Sequence, residues 1–490
     1  MAGFGVGVCY GVHASNIVNL ARGITERVLY VVRDGALARA PQPKRGVFSR
    51  LTKVRSLLLS HLRPTPVVAP DDYPDLYTGR KQGIYRRAAE SLKTRSVQLR
   101  DAWVNTFVKA EKVNLSKKGD PAPRVIQPRN PRYTLMVGRY LKRFEGQLCY
   151  GFRKAFGYPV ILKGMNADAV GEQLAENWAQ FDEPVGVGLD ATRFDQHVSR
   201  EALMFEHGVY NAVFRSAELA ELLSWQLTNH GRARATDGTI SYTVDGCRMS
   251  GDINTGMGNC LIMSLIVLAY CHEHGVRVRL ANNGDDCVIV CEKGDLPRLA
   301  GLDTWFLDFG FTLTREDPVY VLEKVEFCQA QPVRIGGSWR MVRNPLVAMS
   351  KDCVSLLGWD SDVQFEQWAG AIGSCGLSLT QGVPVWQHWY SRLVGIGRQN
   401  MAVTEVVCDS GLGYMARGVR QAVIDEDARY SFYLAFGILP DLQRALEAEY
   451  SLPVEIMPGD RMTFPDVKIL DSDNNSLARW LVAGGPQTAA

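Results

Sequence analysis

The 490-residue sequence predicts an α+β fold, and three observations predict it. Short β-rich runs occur in the middle of the chain, at 185–189, 278–281, 287–291 and 325–335. Long stretches of helical pattern lie around and between them, at 84–107, 134–182, 259–273 and from 345 onward. No internal repeat is present. Apolar residues make up 46% and charged residues 22%, enough apolar content for a large core. The length fits roughly three domain-sized units or one multi-lobed body.

The net charge of +3 conceals an asymmetry. Between Arg39 and Arg100 stand 14 Lys/Arg against 4 Asp/Glu, and between Lys109 and Lys163 stand 13 against 3. A basic N-terminal third on a nearly neutral chain suits a polyanion partner. The eleven cysteines lack C-x-x-C pairs and framework spacing, which predicts reduced, mostly buried thiols and no zinc site. The N-terminus lacks the pattern of a secretory signal. The most apolar stretch, Cys260–Cys271, is too short to span a bilayer, so no membrane segment is expected in this sequence.

Taken in order, 1–40 begin Gly/Val-rich and reach a strand at Arg27–Arg33. Prolines 41, 43, 64, 66 and 70 then confine 41–72 to loops around one helix, Val54–Leu62. A basic amphipathic helix follows at about Ile84–Phe107. From Lys117 to Arg132 five basic residues (Lys117, Lys118, Arg124, Arg129, Arg132) alternate with four prolines. Proline fixes an extended backbone that stays out of sheet centres, so this stretch reads as a stiff cationic ribbon suited to polyphosphate. An interdomain linker is the plainer reading, but linkers seldom carry such charge around a Val-Ile pair.

After the helical 134–182 stretch, Val185–Leu189 reads as a buried strand ending in Asp190, with Asp195 five residues on and a helix from about Val198. Asp195 taken alone reads equally as a helix cap. The glycine-punctuated loop Ser250–Asn259 leads into an apolar helix over 259–273. A helix starting early would place Thr255 and Asn259 on one face. Residues 278–291 form a hairpin with Gly284 in the turn and Asp285 and Asp286 at its tip. Leu296–Phe309 reads as a helix and Phe311–Thr314 as a strand. Val325–Gln329 and Val333–Ile335 form a second hairpin closing at Gly336-Gly337. The rest is helical, with Trp359, Trp368, Trp386 and Trp389 as core candidates, and the tail after Gly484 is expected to be disordered.

Two adjacent acids beside buried strands repel each other and resist desolvation. Read alone, Asn282–Asp286 is also a plain solvated turn. With Asp190 on a neighbouring strand end, three carboxylates suit two divalent ions about 3.5–4 Å apart, the arrangement that serves in-line phosphoryl transfer. The cationic ribbon would then neutralise triphosphate, and Asp195 with Asn259 would read a ribose hydroxyl.

In order and spacing, Asp190-x4-Asp195, Ser250-Gly251-x3-Thr255-x3-Asn259 and Gly284-Asp285-Asp286 resemble the motifs of viral RNA-dependent RNA polymerases. The wording of Ser250–Cys260 and Asn282–Cys287 is closest to the Tombusviridae, the carmovirus-like plant viruses. Lys117–Arg132 resembles that family's nucleotide-channel motif, and Phe327-Cys328-Gln329 its primer-gripping hairpin. The resemblance runs from about 77 to 340.

It implies a right hand closed by fingertips: fingers over 1–186, palm over 187–200 and 245–340, a palm helix and fingers insertion over 201–244, and a mainly helical thumb over 341–490. It implies two Mg²⁺ or Mn²⁺ ions, with Asp190 and Asp285 as principal ligands and Asp286 assisting. Lys117, Arg124, Arg129, Asp195, Ser250, Thr255 and Asn259 would bind nucleotide. Lys118, Arg132, Phe327, Cys328 and Gln329 would touch RNA. Pro318 stands where relatives in other virus groups place a lysine that donates a proton to pyrophosphate. Arg315 and Lys324 are the nearest bases.

The implied activity is replication of a positive-strand RNA genome, with single-stranded template, nascent strand and ribonucleoside triphosphates as partners. A viral auxiliary replication protein is a further partner, and self-association is left open. The implied setting is host cytoplasm, on membrane-associated complexes anchored by a part outside this sequence. A reverse transcriptase shares the aspartates but excludes the 2′-hydroxyl with a bulky side chain, where this sequence offers Asp195 and Asn259. A non-catalytic RNA-binding protein explains the basic third alone and leaves the three aspartates without a reason.

Overall fold

The computed structural model describes residues 2–3, 10–117, 119–356, 358–359, 361–397, 419–452, 462–463, 468–470 and 472. Lys118 and the tail after Gly484 lie outside them. At the centre, the strand Pro184–Ala191 pairs antiparallel on one side with Asp286–Glu292 and on the other with Leu313–Arg315. Val278–Asn283 completes the four-stranded sheet beyond Asp286–Glu292. Because side chains alternate between faces, the sheet has two cores. Val185, Val187, Leu189, Cys287 and Ile289 pack into the largest apolar cluster. Val288 and Val290 face a second cluster, with Leu174 of the helix Ala167–Trp178 and Phe327.

The helix Thr255–Glu273 lies in the largest cluster and is buried over nearly its whole length. It is apolar all round, as a helix enclosed by protein must be. The apolar stretch expected to be too short to span a bilayer, Cys260–Cys271, is part of this longer helix, which among the described residues is the one long and apolar enough to cross a membrane by length and composition; 83% of its apolar window is buried inside the protein.

A second sheet carries the cationic ribbon. Its order is Thr239–Asp245, Thr228–Arg234, Val104–Val108, Val125–Ile126, with the ribbon's two-residue strand at the edge. That is where a proline-rich segment can sit. Bridges from Val104 to Arg129 and from Pro128 to Gly251 bind the ribbon to both neighbours. The C-terminal part is mainly helical and has its own core, in which Trp359, Trp368 and Trp386 are buried and Trp389 packs at the edge. The strand Tyr10–His13 runs antiparallel to Val113–Asn114 and parallel to Lys468–Leu470.

Five expected elements differ. The helical stretch 134–182 is two helices, Pro131–Phe156 and Ala167–Trp178, and Ile161 between them bridges Asn282. Residues Thr25–Leu29 are a π-helical turn, and only Val31–Arg33 is strand. The basic helix spans Gly79–Thr94 and stops well short of Phe107. Val104–Val108 is instead a strand with strictly alternating burial. The Leu296–Phe309 helix divides into a 3₁₀ segment, Lys293–Leu299, and a helix, Leu302–Asp308. The second hairpin pairs Ala330–Ile335 with Ser338–Arg343 around Gly336-Gly337, so Phe327-Cys328-Gln329 forms a separate turn at its base. The nine described cysteines are free thiols.

Candidate active site

Strand register builds the site. Asp286 lies directly opposite Asp190, and Asp190 opposite Thr314. Directly paired residues share a face with Cβ atoms about 5 Å apart. Asp285 sits beside them in the two-residue turn closed by the Asn283–Asp286 pair. The turn is held from within. Gly284 has φ 101°, a value that suits glycine. Buried Asn282 donates from Nδ2 to the Gly284 carbonyl at 2.9 Å and accepts the Gly284 N–H at 3.1 Å.

Two further acids join this face. Glu316 reaches across Gly188, where a Cβ would collide with its carboxylate, and its backbone N–H bonds the Gly188 carbonyl at 2.9 Å. Glu326 adds its charge nearby. Desolvation together with Asp285, Asp190 and Glu326 holds the Asp286 carboxyl above its ordinary range. Burial, with Glu326, Asp190 and Asp286, does likewise for Glu316. Among the described residues, none of Asp190, Asp285, Asp286, Glu316 and Glu326 has an ion-pair partner within 4.0 Å. Nor do three ligating side chains there already close into a cage. An exposed, uncompensated face of carboxylate oxygens fits hard divalent cations such as Mg²⁺ or Mn²⁺.

Asp195 and Asn259 lie beside this face. Asp195 is in the short helix Phe194–His197, and the cap of the following helix is Ser199, so Asp195 is free of capping duty. Asn259 donates from Nδ2 to Asp195 Oδ1 at 2.7 Å. The helix begins at Thr255, which places Thr255 and Asn259 one turn apart. Thr255 Oγ1 donates to the Met249 carbonyl at 2.8 Å, and Ser250 Oγ accepts the Gln127 N–H of the ribbon at 3.3 Å. Burial, with Asp285 adding to it, raises the Asp195 pKa, against the lowering effect of Asn259 and Arg248.

The ribbon's arginines separate into two groups. Arg124 is largely exposed, with Glu111 at 3.3 Å, and Lys117 is exposed. Arg129 and Arg132 are not free to meet a triphosphate or RNA. Arg129 is 4% exposed, ion-paired with Asp252 and bonded to the Ala102 carbonyl and Asn229 Oδ1, each at 2.6 Å. Arg132 is buried among Asp101, Ser91 and the carbonyls of Arg95 and Ser96. Bidentate arginine chemistry serves internal carboxylates as well as external phosphates, and the sequence does not separate the two uses.

Phe327-Cys328-Gln329 meets the acidic turn. Asn283 Nδ2 donates to Cys328 Sγ at 3.1 Å, and the Cys328 thiol is pushed up to about 12 by burial and by nearby Asp286. Cys328 and Gln329 have φ of 53° and 61°, an unusual backbone for two non-glycine residues in one turn. Phe327 is buried and Gln329 exposed. Arg315 is clamped on Asp303 by two bonds of 2.7 and 2.9 Å, and Lys324 Nζ donates to the Ala435 carbonyl at 3.1 Å.

Glu316, Glu326, Glu206 and Arg248 were not singled out from sequence. Arg248 and Glu206 have no charged neighbour next to them, Glu316 lies in the charged run Arg315-Glu316-Asp317, and each reads as a solvated face.

The profile of viral RNA dependent RNA polymerases matches residues 1–453. The chain belongs to the viral RNA-dependent RNA polymerase family. Among curated relatives named RNA-directed RNA polymerase, it is 47% identical to that of melon necrotic spot virus over 459 residues, 92% of this chain and 58% of the relative. It is 46% identical to that of tobacco necrosis virus (strain A), over 92% of this chain and 63% of the relative. It is 45% identical to that of turnip crinkle virus, over 92% and 59%. These are Tombusviridae polymerases, as the motif wording implied. The chain spans about three fifths of the length of these relatives.

Proposed function

We propose that this chain is the polymerising part of an RNA-directed RNA polymerase that copies single-stranded RNA from ribonucleoside triphosphates. The observation that carries the reading is the Asp190–Asp286 register with Asp285 in the adjoining turn. Asp190 and Asp285, with Asp286 assisting, would hold two divalent ions. When bound, the ions supply charge stabilisation for attack of a 3′-hydroxyl and departure of pyrophosphate. The protein's own groups bind and orient. Exposed Arg124 and Lys117 draw in the triphosphate, and Asp195 and Asn259 take the ribose hydroxyl. Cys328 and Gln329 present the base of the second hairpin to the growing strand.

In this reading the central sheet is the palm, the ribbon and basic third are the fingers, and the C-terminal helices are the thumb. A reverse transcriptase fits less well, because Asp195 and Asn259 offer polar partners where a 2′-hydroxyl would be excluded.

The test is incorporation of labelled ribonucleotide on a short single-stranded RNA, with and without Mg²⁺ or Mn²⁺, beside Asp285→Ala. The expected result is metal-dependent, template-complementary product that falls by at least about a thousand-fold in the variant. RNA binding, which rests on cations elsewhere, should stay near wild type. Wild-type synthesis by Asp285→Ala would remove the metal assignment. RNA binding with no synthesis by either form would favour a binding protein.

A further inference from the structure

Behind Asn259 lies a buried ion pair that the catalytic reading does not use. Arg248, at the entrance to the loop, is 1% exposed and Glu206, on the helix Arg200–Phe214, is 0% exposed. Arg248 donates from Nη1 and Nη2 to the two Glu206 oxygens. Its remaining reach goes forward: Nε donates to Asn259 Oδ1 at 3.1 Å. Glu206 is braced in turn by Asn254 Nδ2 and Tyr210 OH, each at 2.8 Å. Gln226 donates to Asn254 Oδ1 at 3.1 Å. The helix leaves room for the pair at Gly258, where a Cβ would stand 2.3 Å from Glu206 Oε1 and 2.5 Å from Arg248 Nη2.

A carboxamide is nearly symmetric in shape but has opposite polarity at its two ends. Turned over, Asn259 would set its NH₂ against the guanidinium and its oxygen against the Asp195 carboxylate, two repulsive contacts. Arg248 therefore commits the amide to one orientation, with Nδ2 toward Asp195. The backbone agrees, since Arg248 N donates to the Asp195 carbonyl at 2.9 Å. One residue thus holds both members of the pair.

We propose that Arg248, held by Glu206, is a positioning residue that sets discrimination for the ribose 2′-hydroxyl by fixing the Asn259 amide on Asp195. The proposal rests on the ribose role given to Asp195 and Asn259 above. An ion pair this deep is weak evidence of a stability role, because desolvation offsets much of the attraction. A role in holding geometry accounts for its place beside a polar site.

The test compares UTP with dUTP. The ratio of their kcat/KM values is measured on an RNA template for wild type, Arg248→Lys, Asn259→Ala and the double variant. The same ratio is read as equilibrium binding with Ca²⁺ in place of Mg²⁺, so that it does not depend on turnover. Lysine keeps the charge against Glu206 but cannot also serve Asn259. Arg248→Lys should lower the ribose preference by about ten-fold, the scale of one hydrogen bond to a charged group, with RNA affinity unchanged. Asn259→Ala should lower it at least as much, and the double variant no further, because one residue acts through the other.

If Arg248→Lys slows both nucleotides equally and leaves the ratio intact while Asn259→Ala lowers it, the positioning role is overturned and the pair is structural. If Asn259→Ala also leaves the ratio intact, the ribose assignment itself fails and the positioning role fails with it. Should Arg248→Lys not fold, Glu206→Gln replaces it. That variant keeps the shape but puts an NH₂ in place of one acceptor oxygen and removes the charge that holds the guanidinium, and an unchanged ratio there has the same overturning force.

Discussion

At the scale of single residues, the acids proposed to hold the metal ions were legible and the buried groups behind Asn259 were not. Asp190, Asp285 and Asp286 stand out because adjacent acids among β-rich runs need a reason. Arg248 and Glu206 are 42 positions apart and each lies in ordinary company. Only the fold brings them together. The same buried cluster contains His207, whose Nε2 meets Gln226 Oε1 at 3.1 Å. Burial pushes the His207 pKa down to about 4; Arg248 acts in the same direction, while Glu206 and Gln226 oppose it. In the unfolded chain the imidazole titrates near 6.5. Above that pH both states are neutral and His207 gives no pH dependence. Below it the unfolded chain binds a proton that the folded chain refuses, so stability falls as pH drops through this window. Between pH 7.5 and 5.5 the loss assigned to His207 is about 1.4 kcal/mol. Thermal or denaturant unfolding at the two pH values should show His207→Gln losing less stability than wild type by that amount. Equal losses would mean that His207 is hydrated or already charged.

Between neighbouring elements, the ribbon and the loop that opens the central helix are fitted backbone to backbone. Pro128 bridges Gly251, and a Cβ on Gly251 would lie 2.6 Å from Pro128 Cα and 2.7 Å from Pro128 N. Main chain cannot yield there as a flexible side chain can. Gly251→Ala should therefore destabilise by about 1–3 kcal/mol, the usual cost of overpacking. It should also raise the KM for all four ribonucleotides alike, since ribbon and loop flank the same site. Gly146→Ala is the control, in a helix where an added Cβ meets nothing within 4 Å and removes unfolded-state freedom. A Gly251→Ala protein as stable as wild type would mean that the ribbon is loosely held. The ribbon's extended, edge-strand character was legible from its prolines. The strand Val104–Val108 beside it was not. Its Trp103, Val104 and Phe107 also satisfy a helical spacing, so a period of two was hidden inside the expected continuation of the basic helix.

Across the whole molecule, the order of motifs fixed the central sheet, because the acids had to meet. No comparable constraint in the sequence indicated that distant segments meet at Tyr10–His13. That strand lies between Val113–Asn114, just before the ribbon, and Lys468–Leu470. Tyr10 OH also lies 2.9 Å from Ser350 Oγ, at the end of a C-terminal helix. These contacts are few and of long sequence separation, so they belong to the least stable end of the opening hierarchy. The central sheet is packed on both faces and belongs to the most stable. Removing residues 1–13 should therefore loosen the approach to the ribbon without unfolding the central sheet. Native-state hydrogen exchange separates the two regions: amides at Val113–Asn114 should lose protection by at least about ten-fold, while those of Asp286–Glu292 keep theirs. Uniform loss across both would show that the N-terminal strand supports global stability. Unchanged protection at 113–114 would show that the strand carries no load, and the ribbon's position would then depend on its pairing with Val104–Val108, the Gly251 bridge and the buried Arg129 contacts.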